Sequence, residues 1–317
     1  MNSSPQRLGR VSLSVIYDVV TQLLEGGNPL TQVIFTGGEP TLLGEDLFDA
    51  IAFCSEHGLK TRMVSNVWWA ATNQKALEMI GSLRESGLAE INFSLDDYHV
   101  PFIKFDHIVN AWNASKNQGF ESVVIANSYG PQSLITSEYI CAQLEEEIPV
   151  FWDEDGEPAP MFPPSADNTQ YLISNGRLQP LGRAKTLPNE HFFAPADQKK
   201  LNKPCVWLAN SLALSPGAHL LACCGIEAQG NEYLDFGDVT TEKIAELLAK
   251  ANENLVIKAL QKAGPYFLMN FVKQFTTEPI FKRHYGSACE LCDDVVNHPL
   301  SKEILNTHLA ELFPFFD

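Results

Sequence analysis

The segment QVIFTGGEP, residues 32–40, joins a short apolar run to two glycines, a carboxylate and a proline. The apolar run is typical of a buried strand, and paired glycines let backbone atoms approach a small molecule closely. Ligands of parallel α/β folds collect at the carboxyl ends of strands, where Glu39 would present a carboxylate suited to an ammonium group. Taken alone, the segment fits a tight turn with an exposed glutamate equally well, so its neighbours must decide.

Further apolar runs follow at intervals of about thirty residues, the length of one βα unit, and they alternate with amphipathic patterns. Strands are predicted over residues 32–36, 60–65, 90–95 and 121–126. Helices are predicted over residues 11–25, 45–57, 73–85, 105–117 and 137–147. This alternation predicts an α/β fold, either a whole or partial parallel (β/α) barrel or an open doubly wound sheet.

Polar side chains stand where these strands are predicted to end. Ser65 closes the second strand, Ser94 and Asp96 close the third, and Asn127 closes the fourth. Ser94 and Asp96 are two residues apart, so the alternation of a strand places both on one face. For each residue alone, turn formation or helix capping is the alternative explanation. Their recurrence with the strand period favours a shared binding site.

The regular pattern stops near Pro149, and the segment to Asp167, rich in proline and acidic residues, predicts a long surface connection. Beyond it we predict two hairpins, over residues 171–181 and 212–222, and a helix over residues 241–252. The predicted domains are therefore residues 1–200 and a smaller, cysteine-rich α+β domain over residues 201–317.

Seven cysteines are unevenly distributed, with Cys54 and Cys141 on predicted helices, where they are interpreted as packing residues. A C-x-x-C spacing presents two sulfurs from one turn, and four thiolates can hold an iron–sulfur cluster or a structural zinc ion. Buried, unliganded cysteines are the alternative. The candidate metal ligands lie in the last third of the chain: Cys205, Cys223, Cys224, Cys289 and Cys292.

The net charge of the chain disfavours some classes of binding partner. The 317 residues include 39 acidic and 22 basic side chains, which gives a charge of −17. This sign disfavours non-specific binding to nucleic acid. The sequence also shows no apolar stretch as long as a membrane span and no signal-peptide core. We therefore predict a cytoplasmic protein without nucleic-acid or membrane partners.

Four motifs together resemble the radical S-adenosylmethionine (SAM) superfamily over most of the first 200 residues: Gly-Gly-Glu-Pro, Ser65-Asn66, SLDDYH at residues 94–99, and Gly182-Arg183-Ala184. Members of that superfamily bind SAM in a partial TIM barrel. The resemblance implies that Gly37, Gly38 and Glu39 hold the methionine amino group. It further assigns Ser94 to the methionine carboxylate and Asp96 to the ribose, and it includes Ser65, Asn127 and Arg183 among the cofactor-binding residues.

The carboxy-terminal cysteines resemble the auxiliary-cluster domain called SPASM, or twitch in its shorter form. Cys205, the pair Cys223-Cys224 and the later Cys289-Glu290-Leu291-Cys292 carry this likeness. The spacing between Gly217 and the cysteine pair is longer than in the family. The resemblance implies an auxiliary iron–sulfur cluster in this region and a peptide or small-protein substrate.

The resemblance further implies a core [4Fe-4S] cluster held by a C-x-x-x-C-x-x-C motif, which this sequence does not contain. Its first predicted helix starts within about ten residues of Met1, so the strand and cluster loop are expected to be encoded ahead of Met1. The implied reaction is reductive cleavage of SAM to a 5′-deoxyadenosyl radical that abstracts hydrogen from a substrate. An electron donor such as flavodoxin or ferredoxin is implied as a partner.

Two alternatives stay open at the sequence level, and no catalytic residue is assigned. One is a catalytically silent relative that binds SAM or a partner protein without the core cluster. The other is a zinc-containing TIM-barrel lyase or hydrolase in which Glu39, Asp96 and His99 act as acid–base groups.

Overall fold

The protein forms two compact units, which are described separately. The computed structural model describes residues 9–27, 29–153, 160, 162–194, 201–225 and 228–316. Residues 12–178 form the first unit, named here the sheet unit. Residues 9–11 and 179–316 form the second, named here the cysteine unit. The chain leaves the sheet unit earlier than the predicted domain boundary at residue 200, because the last strand of this sheet ends at Arg177.

The sheet unit is built on six parallel strands in the order β1-β2-β3-β4-β6-β5. Helical segments connect the first four strands, which confirms the predicted α/β class and its partial (β/α) barrel arrangement. The strands are β1 (Gln32–Phe35), β2 (Lys60–Ser65), β3 (Glu90–Ser94), β4 (Ser122–Tyr129), β5 (Val150–Asp153) and β6 (Gln170–Arg177).

Two sequence predictions for the end of this unit were wrong. The predicted hairpin over residues 171–181 is instead the single strand β6, which pairs in parallel with β4 on one side and β5 on the other. The predicted connection after Pro149 contains β5. Asn175 and Gly176 favour turns, but here a full ladder of pairs from Ser122↔Gln170 to Tyr129↔Arg177 keeps them extended.

The helices of the sheet unit begin at residues that cap them well. Side-chain oxygens of Ser12, Thr72 and Thr136 accept hydrogen bonds from the backbone of the first turn of α1, α3 and α5 respectively. The helices bury their apolar faces in one core whose largest enclosed side chains include Trp112 and Phe93. Their bounds are α1 (Leu13–Glu25), α2 (Glu45–Glu56), α3 (Asn73–Glu85), α4 (Phe105–Ala114) and α5 (Ser137–Leu144).

The cysteine unit combines a small antiparallel sheet with helices around a second core, in keeping with the predicted α+β character. Strands β7 (Ala213–Leu214) and β8 (His219–Leu221) form the predicted hairpin, and β9 (Asp235–Asp238) pairs with β8. The helices are α6 (Ile244–Glu253), α7 (Leu255–Lys262), α8 (Pro265–Val272), α9 (Ala288–Asn297), α10 (Pro299–His308) and α11 (Phe313–Phe316). Within the described ranges of either unit, every helix is too short or too polar to cross a lipid bilayer.

A partly buried carboxylate, that of Asp167, anchors the chain just before β6. The Asp167 carboxylate accepts hydrogen bonds from the Asn117 and Thr169 backbone amides and from the Tyr171 and Ser165 hydroxyls. Burial acts to raise the pKa of Asp167, but the four hydrogen bonds outweigh it and hold that pKa well below its ordinary value. The ionised carboxylate therefore stabilises the fold at neutral pH.

Asp167→Asn is expected to lower the free energy of unfolding by about 1–3 kcal/mol near neutral pH, because a charged acceptor of several hydrogen bonds is lost. Since the folded pKa lies below the unfolded one, the stabilisation is complete above about pH 5, begins to decline near about pH 4 and is lost progressively as the pH falls through the folded pKa. Urea unfolding near neutral and acidic pH measures the difference. Asp18→Asn, on the exposed face of α1, is the control; equal effects of both changes would contradict the account.

Candidate functional site

The glycine-rich turn after β1 lies at the carboxyl edge of the parallel sheet and is open to solvent. Gly37 has a φ of 120°, which a residue with a side chain rarely adopts. A Cβ atom placed on Gly37 or Gly38 would meet no heavy atom within 4 Å. The turn therefore leaves an uncrowded backbone surface against which a small molecule can lie.

The Glu39 carboxylate joins this turn to the end of β2. Its Oε1 accepts hydrogen bonds from the Thr41 amide (3.2 Å), the Thr41 hydroxyl (2.7 Å) and the Ser65 hydroxyl (3.0 Å). Its Oε2 accepts one from the Asn66 amide (2.8 Å). Because four donors converge on it, the carboxylate is held in one orientation. It forms no ion pair with a Lys or Arg of the described chain.

Ser65 supports Glu39 from the strand below. Besides donating to Glu39, its hydroxyl accepts from the Val67 amide (3.0 Å) and the Trp69 indole (2.9 Å). Val67 has a φ of 57°, a costly conformation for a β-branched residue, and strain of this kind clusters at functional sites. The Trp68 indole donates to the Thr41 hydroxyl at 2.9 Å, so a second bond ties the loops after β1 and β2 together.

The loop after β3 carries two carboxylates with different partners. Asp96 is buried, and its Oδ1 accepts from the amides of Tyr98 and His99 and lies 2.8 Å from His99 Nδ1. Asp97 accepts from the Leu134 amide, which follows β4. Within the described chain, the second oxygen of Asp96 has no hydrogen bond, which leaves one acceptor for a ligand hydroxyl.

At the end of β4, a buried acceptor lacks a partner. Asn127 donates from Nδ2 to the Ile135 carbonyl (3.0 Å) and to Asn175 Oδ1 (3.2 Å), and Ser137 exchanges hydrogen bonds with Asn175. Asn127 Oδ1 is buried, and no donor in the described part of the chain reaches it. Such a group costs about 1–3 kcal/mol, so a ligand N–H or O–H that reached it would be stabilised.

The predicted cofactor-binding residues fall into two groups. Those of the sheet unit all lie at or just beyond the carboxyl ends of β1 to β4; Ser94, the last residue of β3, is partly buried. Arg183 instead belongs to the cysteine unit, where it is exposed on the 3-10 turn Gly182–Thr186. Its role as a cofactor contact stays a prediction.

The predicted metal ligands all lie in the cysteine unit. Cys205, Cys223 and Cys292 pack against the same hydrophobic core, and Cys289 lies one helical turn before Cys292 on α9. Burial raises the pKa of the Cys292 thiol well above its ordinary value, and three nearby thiols act in the same direction: Cys289, Cys223 and Cys205. Cys224 is exposed.

These thiols are neighbours but do not yet form a coordination sphere. None of the seven cysteines forms a disulfide bond, and within the described residues no group of three or more His, Cys, Asp or Glu side chains converges closely enough to hold a metal ion. Cys54 is enclosed by the core of the sheet unit, where burial raises the pKa of its thiol to about 11. Cys141 packs against that same core.

Several residues of the carboxyl edge were missed by the sequence analysis. Thr41, Asn175 and Ser137 complete the hydrogen-bond networks around Glu39 and Asn127. Asn175 was interpreted as a turn residue. Its position on a strand beside β4 could have been found only by recognising β6 as parallel to β4.

Comparison with known proteins gives one sequence relative over nearly the whole chain. A protein of Bacillus subtilis (strain 168), provisionally named peptide biosynthesis protein YydG, is 23% identical over 299 residues, covering 93% of this chain and 86% of its own length. A solved structure described as native anSMEcpe with bound AdoMet covers 98% of this chain and 90% of its own, with 14% identity and a TM-score of 0.48. No protein-family model matches. The sequence relative therefore carries the comparison.

The parallel sheet aligns the motifs at the carboxyl ends of β1 to β4, and the sequence relative covers nearly the whole chain. The chain resembles the radical SAM superfamily, with a SPASM/twitch-like carboxy-terminal region.

Proposed function

We propose that this protein is a radical SAM enzyme that modifies a peptide, and that it binds SAM at the carboxyl edge of the sheet unit. Glu39 and Asp96 follow strands of one parallel sheet at this same edge, and neither has a Lys or Arg partner in the described chain; this is the observation that carries the proposal. SAM has a net positive charge from its sulfonium and ammonium groups. Two fixed carboxylates beside an open glycine turn suit such a cation.

Each strand end has a separate part in holding the cofactor. Glu39 accepts a hydrogen bond from the ammonium group, while Gly37 and Gly38 let the methionine backbone approach. The open oxygen of Asp96 accepts from a ribose hydroxyl, and Asn127 Oδ1 accepts from a further donor of the nucleoside. Ser94, the last residue of β3, donates to the methionine carboxylate. Ser65 acts through Glu39, because its own hydrogen bonds are complete within the protein.

The residues described here do not supply the ligands of a core [4Fe-4S] cluster, since the two cysteines of the sheet unit lie on separate helices. In radical SAM enzymes that cluster supplies the electron that cleaves SAM. We propose flavodoxin or ferredoxin as the electron donor for this reaction.

For the cysteine unit we propose a four-thiolate site formed by Cys205, Cys223, Cys289 and Cys292. Thiolate ligands suit an iron–sulfur cluster or zinc, and bound metal would stabilise the ionised form of a thiol that burial otherwise disfavours. Cys223 is chosen over Cys224 because it packs against the core beside Cys292, whereas Cys224 is exposed. The neighbouring sulfurs must move together for this site to form.

A second candidate is a catalytically silent relative that binds SAM. This candidate needs no C-x-x-x-C-x-x-C motif, and the sequence contains none. Anaerobic reconstitution with iron and sulfide distinguishes the two: 5′-deoxyadenosine is formed by the enzyme, whereas the silent relative binds SAM without turnover. The zinc lyase or hydrolase has no supporting observation at the strand ends, where no described group of three ligating side chains converges.

Asp96→Asn is expected to weaken SAM binding about tenfold, because an amide replaces the open carboxylate oxygen while the carbonyl still accepts from the Tyr98 and His99 amides. Isothermal titration calorimetry of the full chain measures the dissociation constant. Asp106→Asn, an exposed acid on the first turn of α4, is the matched control and should leave affinity unchanged. The proposal fails if the wild-type chain gives no binding signal, or if both variants weaken binding equally.

A further inference from the structure

The loops after β1 to β4 each expose one large apolar side chain. Leu42, Trp68, Phe102 and Leu134 are 70%, 47%, 80% and 79% exposed respectively. The four preceding strands are consecutive neighbours in the sheet, so these loops follow one another along its carboxyl edge. The four side chains are named here the apolar rim. Exposed apolar surface concentrated in one place marks an interaction site more often than scattered single residues do.

Hydrogen bonds tie together the successive loops that carry the apolar rim. Trp68 donates to Thr41, the neighbour of Leu42. Asn110 of α4, the helix that follows the Phe102 loop, donates to the Ala70 carbonyl in the loop after β2 (2.9 Å). The Leu134 amide donates to Asp97 in the loop after β3 (3.0 Å). Because each loop is fixed to the next, the exposed side chains are presented by an ordered framework.

The charge of the sheet unit indicates what this surface attracts. Residues 12–178 contain 23 acidic and 7 basic side chains, so they carry −16 of the chain's −17. Glu39, Asp96 and Asp97 lie at the same edge as the apolar rim, and none forms an ion pair with a Lys or Arg of the described chain. A field of this sign repels a second copy of the chain, an anionic membrane and nucleic acid, and it attracts a cation.

We propose that the apolar rim docks the peptide substrate, and that this substrate is a cationic segment with large apolar side chains. The inference rests on the proposed function, because it places the peptide at the edge that binds SAM. Apolar side chains of the peptide pack on Phe102 and Leu134 at one end of the rim and on Trp68 and Leu42 at the other. Its Lys or Arg side chains lie in the negative field of the sheet unit.

Fluorescence anisotropy of labelled peptides with the full chain tests the proposal. A lysine–leucine peptide is expected to bind at least about tenfold more tightly than a glutamate–leucine peptide and than a lysine–serine peptide. The double variant Phe102→Ser/Leu134→Ser should weaken binding of the lysine–leucine peptide by at least about tenfold. Leu77→Ser, a similarly exposed apolar residue on α3 outside the rim, is the matched control and should leave affinity unchanged.

The same variants are titrated with SAM, which separates this inference from the proposed function. Unchanged SAM affinity with weakened peptide binding supports the docking surface. Peptide binding that is insensitive to the double variant, or equally sensitive to Leu77→Ser, overturns it while SAM binding stands. A stable dimer of the wild-type chain in sedimentation that the double variant dissociates would also overturn it, since the rim would then bind a second copy.

Discussion

Replacing Glu39 with alanine is expected to weaken SAM binding by about 100-fold, the largest effect of any single change at the carboxyl edge. The carboxylate is fixed by hydrogen bonds from Thr41, Ser65 and Asn66, and Glu39 directly follows the uncrowded glycine turn. Its removal takes away both the charge that attracts the ammonium group and the acceptor that orients it. Calorimetric titration of the full chain measures the loss.

The alanine change also leaves four hydrogen-bond donors without their acceptor, so thermal unfolding must accompany the titration. Ser65→Ala provides the second variant. It keeps the Glu39 carboxylate but removes one of its supports, and it should weaken binding by about three- to tenfold. Glu45→Ala, an exposed acid on the first turn of α2, is the control for general charge. Equal losses of SAM affinity in Glu39→Ala and Glu45→Ala would show that the position of the carboxylate does not matter, which would contradict the account.

Cys292→Ala is expected to abolish metal binding by the cysteine unit. Cys292 lies among three other thiols, so its removal leaves three ligands where a closed structural site needs four. Iron, sulfide and zinc are measured per chain after anaerobic reconstitution. A brown absorbance lost in the variant identifies an iron–sulfur cluster, and colourless stoichiometric zinc identifies the structural alternative.

Cys141→Ala is the matched control, because this cysteine packs against the other unit's core. It should leave metal content unchanged. Cys224→Ala should also retain the metal if Cys223 is the ligand of the vicinal pair. Full metal content in Cys292→Ala, or equal loss in Cys141→Ala, would contradict the four-thiolate site.

The first four βα units could be predicted because their strands and helices leave local signals. Apolar runs bounded by Gly58 and Gly87 define β2 and β3 within one residue. The local signal of strand β6 is misleading, since Asn175-Gly176 is a common turn sequence. Long-range interactions override this turn signal. They are the parallel pairing with β4 and β5 and the hydrogen bonds of the Asn175 side chain to Asn127 and Ser137.

The candidate site could be predicted in part for the same reason. Residues at strand ends, such as Glu39 and Asp96, follow from the strand period. Their partners do not, because the contact between Glu39 and Ser65 joins residues far apart in sequence. The neighbourhood of Cys205, Cys223 and Cys292 could be predicted only from their clustering in the last third of the chain and from the resemblance, since no local pattern links them across the cysteine unit.

Hydrogen–deuterium exchange of the wild-type chain with and without SAM tests the central claim most directly, because it locates binding without changing a residue. The account predicts slower exchange on SAM addition in the loops that follow β1 to β4, residues 36–44, 65–71, 94–104 and 127–136. Exchange that is unaltered in these loops, or protection confined to the opposite edge of the sheet at residues 57–60, 86–90 and 117–122, would contradict it.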